Sequence, residues 1–374
     1  MASSTSYSHE LEIALLTVQR ASLLTKRVVT ALDKGVTDKS DASPVTIADF
    51  AAQALIISAL HRNFPADGFI GEESAEALRS NPELCDRVWE LVSTTALEDP
   101  NGEPVLGQVK SKEEMLEVID LGAGSESKSG RTWILDPVDG TATFMRNQQY
   151  VVCLALVEGG KQKLGVLGCP NLLIGPTGEV REDLVDTSGL GQMLSAIEGQ
   201  GAYIRPITRG KIATPKKLDK INDVVDPAKI RWCDSLASNS ITPQNHRAVA
   251  EKIGSYGWPG TDIWAMQMKY VALTLGACDA MVRIPPKKAY RASVWDHAGG
   301  QLLYTEVGGA LSDTTGKPFD FGLGRSLEAN LGLIAAPPSI HPRLVEAAKE
   351  VIATAGDEEW TDTRHAGEKF VSGA

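Results

Sequence analysis

The sequence predicts an α+β fold in which helices cover a largely antiparallel sheet. Two helix-like segments open the chain, and short β-branched runs separated by glycine dominate from Thr132 onward. A further region beginning near Thr208 alternates strand-like with helix-like segments, as when helices cover a sheet. With 374 residues, 43% of them hydrophobic, the chain can bury a large core. We therefore expect two regions, 1–207 and 208–356, followed by a loose polar tail at 357–374.

The N-terminal part is expected to contain helices and one short strand. Helices are predicted over about 9–33 and 47–63, where Thr46 and Asp49 have the spacing of a capping pair. The next segments predict a strand with an acidic end, a helix, and a second helix before a Gly/Ser-rich loop. These are PADGFIGEES, CDRVWELV and KEEMLEVID.

Strands and helices after Thr132 follow a regular order along the chain. The central meander is predicted from four runs, RTWILD, YVVCLALVEGG, KLGVLGCP and GAYIRPI. Beyond Thr208, the strand-like segments are IRWCDS, DAMVRIP and LGLIAAP, and the helix-like ones are QNHRAVAEKIG, IWAMQMKYVALTLGA and DHAGGQLLYTEVG.

Composition narrows the class of partner and the compartment. The formal net charge of −11 argues against a nucleic-acid surface, yet local cations or bound metal ions still permit a small phosphorylated ligand. The five cysteines are scattered, which predicts buried free thiols of an intracellular protein. Because Glu12 interrupts the apolar N-terminus, we expect an amphipathic helix there and not a secretory signal. No run approaches the ~20 apolar residues of a membrane span, so we expect a cytoplasmic protein without a membrane partner.

Five acidic residues stand where predicted elements begin or end: Asp49, Glu72, Asp136, Asp139 and Asp296. Each has an ordinary explanation, because Asp49 and Asp296 could cap helices, Glu72 could end a strand in solvent, and DPVDG could be only a turn. Together they could converge in one cleft, where carboxylate oxygens are the ligands that hard divalent cations prefer. Pro137 lacks an N–H and is expected to end its strand abruptly, which would turn the flanking carboxylates inward.

DPVDGT, together with SPVTIAD, GEES and WDHAGG, resembles the lithium-sensitive, magnesium-dependent phosphatases that include inositol monophosphatase. Within that superfamily the sequence is most similar to the 3′(2′),5′-bisphosphate nucleotidases of fungi. YVVCLALVEGG, KLGVLGCPNL, VRIP and FGLGRSL extend the resemblance over about residues 9–355. It implies a layered α-β-α-β-α sandwich with the active site where the two regions meet.

The resemblance also implies a role for each acidic residue. Two or three Mg²⁺ ions would be held by four side chains and one main-chain oxygen: Glu72, Asp136, Asp139, Asp296 and the carbonyl of Val138. Asp49 and Thr141 would orient and deprotonate the attacking water, since a threonine hydroxyl can donate to Asp49 while it accepts from the water. Thr141 would also contact the substrate phosphate, and lithium is expected to inhibit.

Two cations in the second region are candidate substrate ligands. Lys269 lies in the apolar segment IWAMQMKYVALTLGA, and Arg283 lies in the strand-like segment MVRIP. Lys269 could instead be a snorkelling lysine or a partner of Asp262, and Arg283 could be a charge at a sheet edge. Their spacing of fourteen residues matches the resembled nucleotidases, in which the lysine and arginine at these places contact the phosphate and base region of the nucleotide.

The chain departs from the resembled pattern on the substrate side. Ala265-Met266 stands where yeast-like members have Asp-Ser, and Ala142-Thr143 replaces the usual Lys-Gly. Asn239 or Ser240 stands where a histidine near the adenosine is expected. The metal site is therefore expected to be intact and the nucleotide pocket altered.

The resemblance implies a Mg²⁺-dependent phosphomonoesterase that removes the 3′-phosphate of adenosine 3′,5′-bisphosphate to give AMP and phosphate, with the phosphosulfate analogue as a further candidate substrate. One alternative is an inositol polyphosphate 1-phosphatase or an inositol monophosphatase-like enzyme, because the superfamily shares its metal site. Another is a non-catalytic metal- or nucleotide-binding sensor, which the altered positions favour and the retained Asp49 and Thr141 oppose. No oligomeric state is predicted.

Overall fold

The computed structural model describes residues 6–33, 43–125, 128–236 and 241–354. Within these ranges the helices are α1 Ser8–Asp33, α2 Pro44–Asn63, α3 Glu76–Ser80, α4 Pro82–Thr94, α5 Glu103–Leu106, α6 Lys112–Asp120, α7 Thr141–Phe144, α8 Pro243–Lys252, α9 Met266–Thr274, α10 Ala298–Glu306 and α11 His341–Thr354. The strands are β1 Gly68–Gly71, β2 Arg131–Asp139, β3 Val151–Glu158, β4 Lys161–Cys169, β5 Gln192–Ile197, β6 Gly201–Pro206, β7 Lys216–Lys217, β8 Cys233–Asp234, β9 Thr261–Asp262, β10 Met281–Arg283, β11 Ala310–Ser312 and β12 Leu333–Ala336.

A seven-stranded sheet, ordered β1 to β7, organises the first part of the chain. β1 pairs parallel with β2, and all later neighbours are antiparallel, which confirms the expected meander. β5 and β7 were not predicted, because QMLSAI and KK lack the long β-branched runs of their neighbours. The division of the chain at 207 and 208 stays a prediction, and β7 still pairs with the first sheet.

Five layers stack on one another. α1 and α2 pack together on one face of the seven-stranded sheet, and α9 and α10 cover its other face. The second sheet, ordered β10-β12-β11, turns alternate side chains of β12 to opposite sides. Leu333 packs into the core with α9 and α10, whereas Ile334 packs into the core with α8 and α11. This order of layers confirms the expected α-β-α-β-α sandwich.

The start of α2 differs from the prediction. Ser43 is the N-cap residue, since its hydroxyl oxygen accepts from the Thr46 N–H at 3.3 Å and Pro44 occupies the first helical position. The predicted cap at Thr46 is wrong because a proline fits the first turn, where its missing N–H costs nothing. Asp49 consequently lies in the second turn of α2, beyond reach of a capping role.

The predicted end of β2 is also wrong. The strand continues through Pro137 to Asp139, and its pairing with β3 shifts register between Asp136 and Asp139. A bulge of this kind leaves a residue unpaired, so it accommodates a proline that has no N–H to offer. The two aspartates are therefore fixed by a sheet and not by a loose turn.

Two elements near the C-terminal end of the described chain, α11 and β11, were not predicted. β11 has only three residues, too few for a visible alternation. α11 has an apolar face, with Leu344, Val345, Ala348 and Val351 buried, so its sequence carried a helical signal. The tail at 357–374 and the positions Asn239 and Ser240 lie outside the described residues.

α2 is long and apolar enough to cross a membrane by length and composition alone, with a mean hydropathy of 1.3 over eighteen residues. This corrects the expectation that no segment approaches a membrane span. In the structure, 83% of that window is buried within the protein, as in the core helix of a layered fold.

All five cysteines are buried and free, which confirms the prediction of buried free thiols.

Candidate active site

The irregular end of β2 supplies two carboxylates. Asp136 is 2% exposed and Asp139 is 7% exposed. The main-chain N–H of Val138, which lies between them, donates to Asp136 Oδ1 at 3.1 Å. This bond fixes the Asp136 side chain against its own bulge, while the assignment of the Val138 carbonyl as a metal ligand stays a prediction.

Asp296 joins these two aspartates from the far end of the sequence. Oxygen atoms of Asp136, Asp139 and Asp296 all lie within 4.8 Å of one another. Asp296 directly precedes His297, the N-cap residue of α10, and no side chain caps that helix. The capping explanation of Asp296 therefore fails, and three acids predicted from distant positions share one site.

Glu72 reaches the same site because β1 and β2 run parallel. Gly71 pairs with Leu135, so the residue that follows β1 emerges beside Asp136. Glu72 is close enough to Asp136 for a side-chain hydrogen bond between the two carboxyls. Glu72 is an exposed residue as a whole, but protein atoms surround its carboxyl group. This local burial of the carboxyl is the main reason why the pKa of Glu72 is raised.

Asp49 approaches the cluster from α2. The side chain is buried, and its Oδ1 has no hydrogen-bond partner among the described residues. Burial first, and then the charges of Glu73 and Glu72, raise the pKa of Asp49 well above its usual range. An unpartnered buried oxygen is costly unless a ligand or a water binds to it, so Asp49 faces a place that a bound species should fill.

Crowding of the acids is visible in their proton affinities. Burial and neighbouring carboxylates raise the pKa of Asp296 to about 8 and that of Asp136 well above its usual range. Burial raises the pKa of Asp139 to about 6. Two main-chain N–H groups and Lys269 stabilise its ionised form and so limit this rise. Such a cluster cannot be fully ionised without added positive charge. An oxygen-only donor set of this kind fits a hard divalent cation such as Mg²⁺.

Asp139 also links the acidic cluster to α9. Its Oδ1 accepts from the Met266 N–H at 3.0 Å, and its Oδ2 accepts from the Gln267 N–H at 2.5 Å. Ala265, the N-cap residue of α9, has no polar side chain that could accept from these N–H groups. The carboxylate at the positive end of the helix dipole thereby fixes the helix that contains Lys269.

A cleft of about 270 Å³ opens beside the cluster. Asp139, Asp296 and the exposed Thr141 line one part of it, and Lys269 and Arg283 line another. The remaining wall is mostly apolar or aromatic and includes Trp264, Met266, Pro285, Tyr290 and Leu333. The structure therefore brings both predicted cations to one cavity with two of the predicted acids, Asp139 and Asp296.

Lys269 is completely buried, which excludes the snorkelling alternative. Its Nζ donates to the main-chain oxygen of Trp264 at 2.9 Å. Asp262, the alternative partner, accepts instead from the Leu236 N–H and from the indole of Trp264. Burial and the nearby Arg283 lower the pKa of Lys269 to about 8, so an anion in the cleft would stabilise its charged form.

Gly140 explains how the cleft wall comes so close to α9. Its φ of 101° lies in the region that favours glycine, and a Cβ there would lie 2.9 Å from Ala265 Cβ. Ala265, one of the departures from the resembled pattern, is buried against this turn, while Met266 lines the cleft. The small residues at 140 and 265 therefore set the distance between the two walls.

Comparison with known families shows to which family the chain belongs. The model of the inositol monophosphatase family matches residues 7–353. The chain belongs to this family. A 3′(2′),5′-bisphosphate nucleotidase of Emericella nidulans is 41% identical over 352 residues, covering 93% of this chain and 99% of the relative. A protein of the same name from Schizosaccharomyces pombe is 38% identical, covering 92% and 96% of the two chains.

Solved structures of the family share the fold. Inositol monophosphatase II from Staphylococcus aureus superposes with a TM-score of 0.59 at 16% identity, covering 91% of this chain and 94% of that one. The enzyme from Thermotoga maritima superposes with a TM-score of 0.56 at 18% identity, covering 93% and 100%. Members of this family are generally Mg²⁺-dependent, in keeping with the acidic cluster described above.

Two buried glutamines of this family member were not predicted as site residues. Gln53 lies one turn after Asp49 on α2; its Nε2 donates to the Glu73 oxygen at 2.8 Å, and its Oε1 accepts from the Glu73 N–H at 3.0 Å. Both bonds fix the main chain of Glu73, the residue that follows Glu72. A polar side chain in the apolar run AAQALII was the available signal.

Gln267 acts in the same way on the other side of the cluster. Its Nε2 donates to the Trp295 oxygen at 2.7 Å, and its Oε1 accepts from the Gly300 N–H at 2.8 Å. These bonds fix the residue before Asp296, while its own N–H binds Asp139. Each half of the cluster thus has a glutamine that fixes the neighbouring main chain.

Proposed function

We propose that the chain is a Mg²⁺-dependent phosphomonoesterase that removes the 3′-phosphate of adenosine 3′,5′-bisphosphate, releasing AMP and phosphate. The observation that carries this proposal is the position of the acidic cluster at one cleft with Lys269 and Arg283. Relatives of 38–41% identity are named 3′(2′),5′-bisphosphate nucleotidase, which supports this substrate over an inositol phosphate.

Five ligands would hold two or three Mg²⁺ ions: Glu72, Asp136, Asp139, Asp296 and the carbonyl oxygen of Val138. When bound, the ions supply positive charge that polarises the phosphoryl group and stabilises the leaving oxygen. The residues themselves keep their carboxylates oriented before any ion arrives. Val138 and Gln267 donate main-chain N–H groups to Asp136 and Asp139, respectively, and this limits the reorganisation that metal binding requires.

Asp49 is the proposed general base. Its raised pKa and its unpartnered Oδ1 suit a carboxylate that accepts a proton from the attacking water. Thr141 would orient the same water through its hydroxyl and would present its N–H to the phosphate. Because Asp49 comes from α2 and Thr141 from α7, the water would be positioned between these two helices.

Lys269 and Arg283 are the proposed ligands of the second phosphate, the one that stays on the nucleotide. Both line the cleft with the acidic residues, and charged donors give strong, orienting bonds to phosphate oxygens. An inositol monophosphate lacks this second group, so it would leave both cations without an anion. The two cations therefore favour a bisphosphate.

The test is phosphate release with Mg²⁺ from adenosine 3′,5′-bisphosphate, its phosphosulfate analogue, inositol 1-phosphate and inositol 1,4-bisphosphate. The wild type should prefer the nucleotides, and Asp49→Asn should lower turnover by about 10²–10⁴-fold. Asp86→Asn, at an exposed carboxyl paired with Lys112, is the control and should retain full activity.

Each contrary outcome has a clear meaning. Preference for an inositol phosphate would establish the alternative enzyme class and overturn the proposed substrate. Nucleotide binding without phosphate release by the wild type would establish a sensor. Full activity of Asp49→Asn would remove Asp49 from the mechanism.

A further inference from the structure

A second cleft, separate from the candidate active site, opens between α1 and the first sheet. It has a volume of about 560 Å³ and lies between α1, the loop before α5, and strands β5 and β6. No residue that lines it also lines the active-site cleft. We call it the α1–β6 cleft, and its aliphatic wall consists of Leu11, Leu15, Leu16, Val105, Ile197 and Ile212.

This wall follows directly from the two secondary structures. Leu11 and Leu15 stand one turn apart on α1 and so share a face. Ser195 and Ile197 share a face of β5, and Tyr203 and Arg205 share a face of β6. Ser195 pairs with Tyr203 in the sheet, which places these strand residues side by side under the helix edge.

Arg205 is the unusual residue of the cleft. It is only 6% exposed, its Nη2 donates to Ser195 Oγ at 3.0 Å, and its Nε has no hydrogen-bond partner among the described residues. Burial lowers the pKa of Arg205, and no ion pair joins its guanidinium to an acidic residue within the described ranges. The buried guanidinium of Arg205 thus binds a neutral hydroxyl, whereas a buried charge is usually paired with an opposite charge.

Arg20 is a buried arginine whose hydrogen-bond partners can be compared with those of Arg205. It is the other buried arginine among the described residues, and its Nη1 donates to Glu103 Oε1 at 3.0 Å. The same guanidinium also donates to the carbonyls of Gly107 and Leu55. The Nε of each arginine lacks a partner among the described residues, so the difference lies in the other nitrogens. Arg20 has a carboxylate and main-chain acceptors, whereas Arg205 lines an open cleft and donates to a hydroxyl.

We propose that the α1–β6 cleft binds a small monoanion with an apolar body, whose anionic group contacts Arg205 and Ser195 and whose body lies along the aliphatic wall. Charge complementarity selects the anion, because a carboxylate or phosphate would supply the missing counter-charge of Arg205. The cavity volume falls within the range of small-molecule sites, and the wall is largely apolar.

Two acids in the lining limit the charge of the ligand. Glu12 is exposed at the margin, and Asp99 is buried with its Oδ1 accepting from the Asn101 N–H at 3.0 Å. Neither forms an ion pair with Arg205 in the described part of the chain, so neither replaces the proposed anion. They would repel a second negative charge, which is why we propose a monoanion and not a bisphosphate.

The test uses the full chain and four probes that each contain eight carbon atoms: octanoate, octyl phosphate, octanol and octylammonium. Isothermal titration calorimetry should give octanoate at least a tenfold advantage over octanol, and octylammonium should not bind. Octyl phosphate, titrated below and above its second ionisation, separates a carboxylate preference from a general anion preference. Weaker binding of its dianion is expected.

Arg205→Met keeps the side-chain length and removes the charge. It should reduce octanoate affinity at least tenfold, to the level of octanol, and should raise or preserve the melting temperature because an unpaired buried charge is lost. Arg205→Lys should retain the preference for the anion. Phosphatase activity should not change in either variant, since Arg205 lies outside the catalytic cleft.

Two results would overturn this assignment. Equal affinities for octanoate and octanol would show that Arg205 does not select an anion, and absence of binding by every probe would show that the cleft holds no such ligand. If Arg205→Met fails to fold, Leu15→Glu tests the same wall: added negative charge should abolish octanoate binding, and unchanged binding would contradict the proposal.

Discussion

The two walls of the active-site cleft differ in how their charge is balanced. The acidic wall, formed by the ends of α2, β1 and β2, holds carboxyls whose pKa values rise through burial and mutual repulsion. The cationic wall, on α9 and β10, holds Lys269, which a main-chain carbonyl satisfies while burial lowers its pKa. One wall thus needs added cations and the other favours an added anion.

This difference separates two tasks. Arg283 and Lys269 offset only part of the repulsion at Asp296, so divalent cations must supply the rest for all the acids to ionise. Within the described ranges, Asp139 joins the two walls, because this carboxylate of the acidic wall accepts from the first two N–H groups of α9 in the cationic wall. Substitutions on the acidic wall should therefore abolish chemistry, and substitutions on the cationic wall should change selectivity.

The largest expected effect comes from Asp136→Asn. Removing one carboxylate from the centre of the cluster should reduce phosphate release by about 10³-fold, since metal ions contribute several kcal/mol to stabilising transition-state charge. Asp313→Asn is a matched control at a buried aspartate that accepts from the N–H groups of Thr315 and Lys317. Its dependence on Mg²⁺ should match the wild type, even if its melting temperature falls.

A smaller and more selective effect is expected from Lys269→Gln. The amide can still donate to the Trp264 carbonyl but lacks the charge that a second phosphate needs. The KM for adenosine 3′,5′-bisphosphate should rise about 10–100-fold, whereas the KM for 3′-AMP should change little. Lys220→Gln is the control, because Lys220 also donates to a main-chain carbonyl, that of Glu306. An equal loss for both nucleotides would remove the distinction between the walls.

The smallest effect is expected from Gln53→Met, which preserves size and removes both bonds to Glu73. The half-saturating Mg²⁺ concentration should rise about tenfold or more, while the rate at saturating Mg²⁺ should fall little. Gln19→Met is a closely matched control, since Gln19 is also buried and binds the main chain at Gly210 and Thr208. If both variants shift the Mg²⁺ curve alike, Gln53 has only a general structural role.

Local signals predicted much of the fold. The residues of α6 were identified as a helix from KEEMLEVID alone, because acidic residues in its first turn and apolar residues at helical spacing agree. α2 was misplaced by three residues because Ser43-Pro44 forms a better start than Thr46. The continuation of β2 through Pro137 depends on pairing with β3, a long-range contact that no local pattern contains.

The candidate site was predictable in part for the same reason. The acidic residues stand at element ends and resemble a known family, so their identity was available from the sequence. Their distances were not, because Asp296 meets Asp136 only through the packing of α10 on the first sheet. Gln53 and Gln267 bind main-chain groups far along the chain, and such partners leave no spacing signal of their own.

The clustering of acids predicts how the stability of the metal-free protein changes with pH. The pKa of Asp139 rises to about 6 and that of Asp296 to about 8 in the folded state, above their usual value of 3.8. The folded state therefore binds protons more tightly than the unfolded state, and its stability should fall as the pH rises from about 4 to 8. Mg²⁺ binds the ionised carboxylates, so it should restore more stability at pH 8 than at pH 5.

The most direct measurement is thermal unfolding of the wild type and Asp136→Asn, with and without Mg²⁺, between pH 5 and pH 8. The wild type should show a rise in melting temperature on adding Mg²⁺ that grows with pH, and Asp136→Asn should lose most of it. A rise that is absent, independent of pH, or equal in the two proteins would contradict the claim that these carboxylates form one magnesium site.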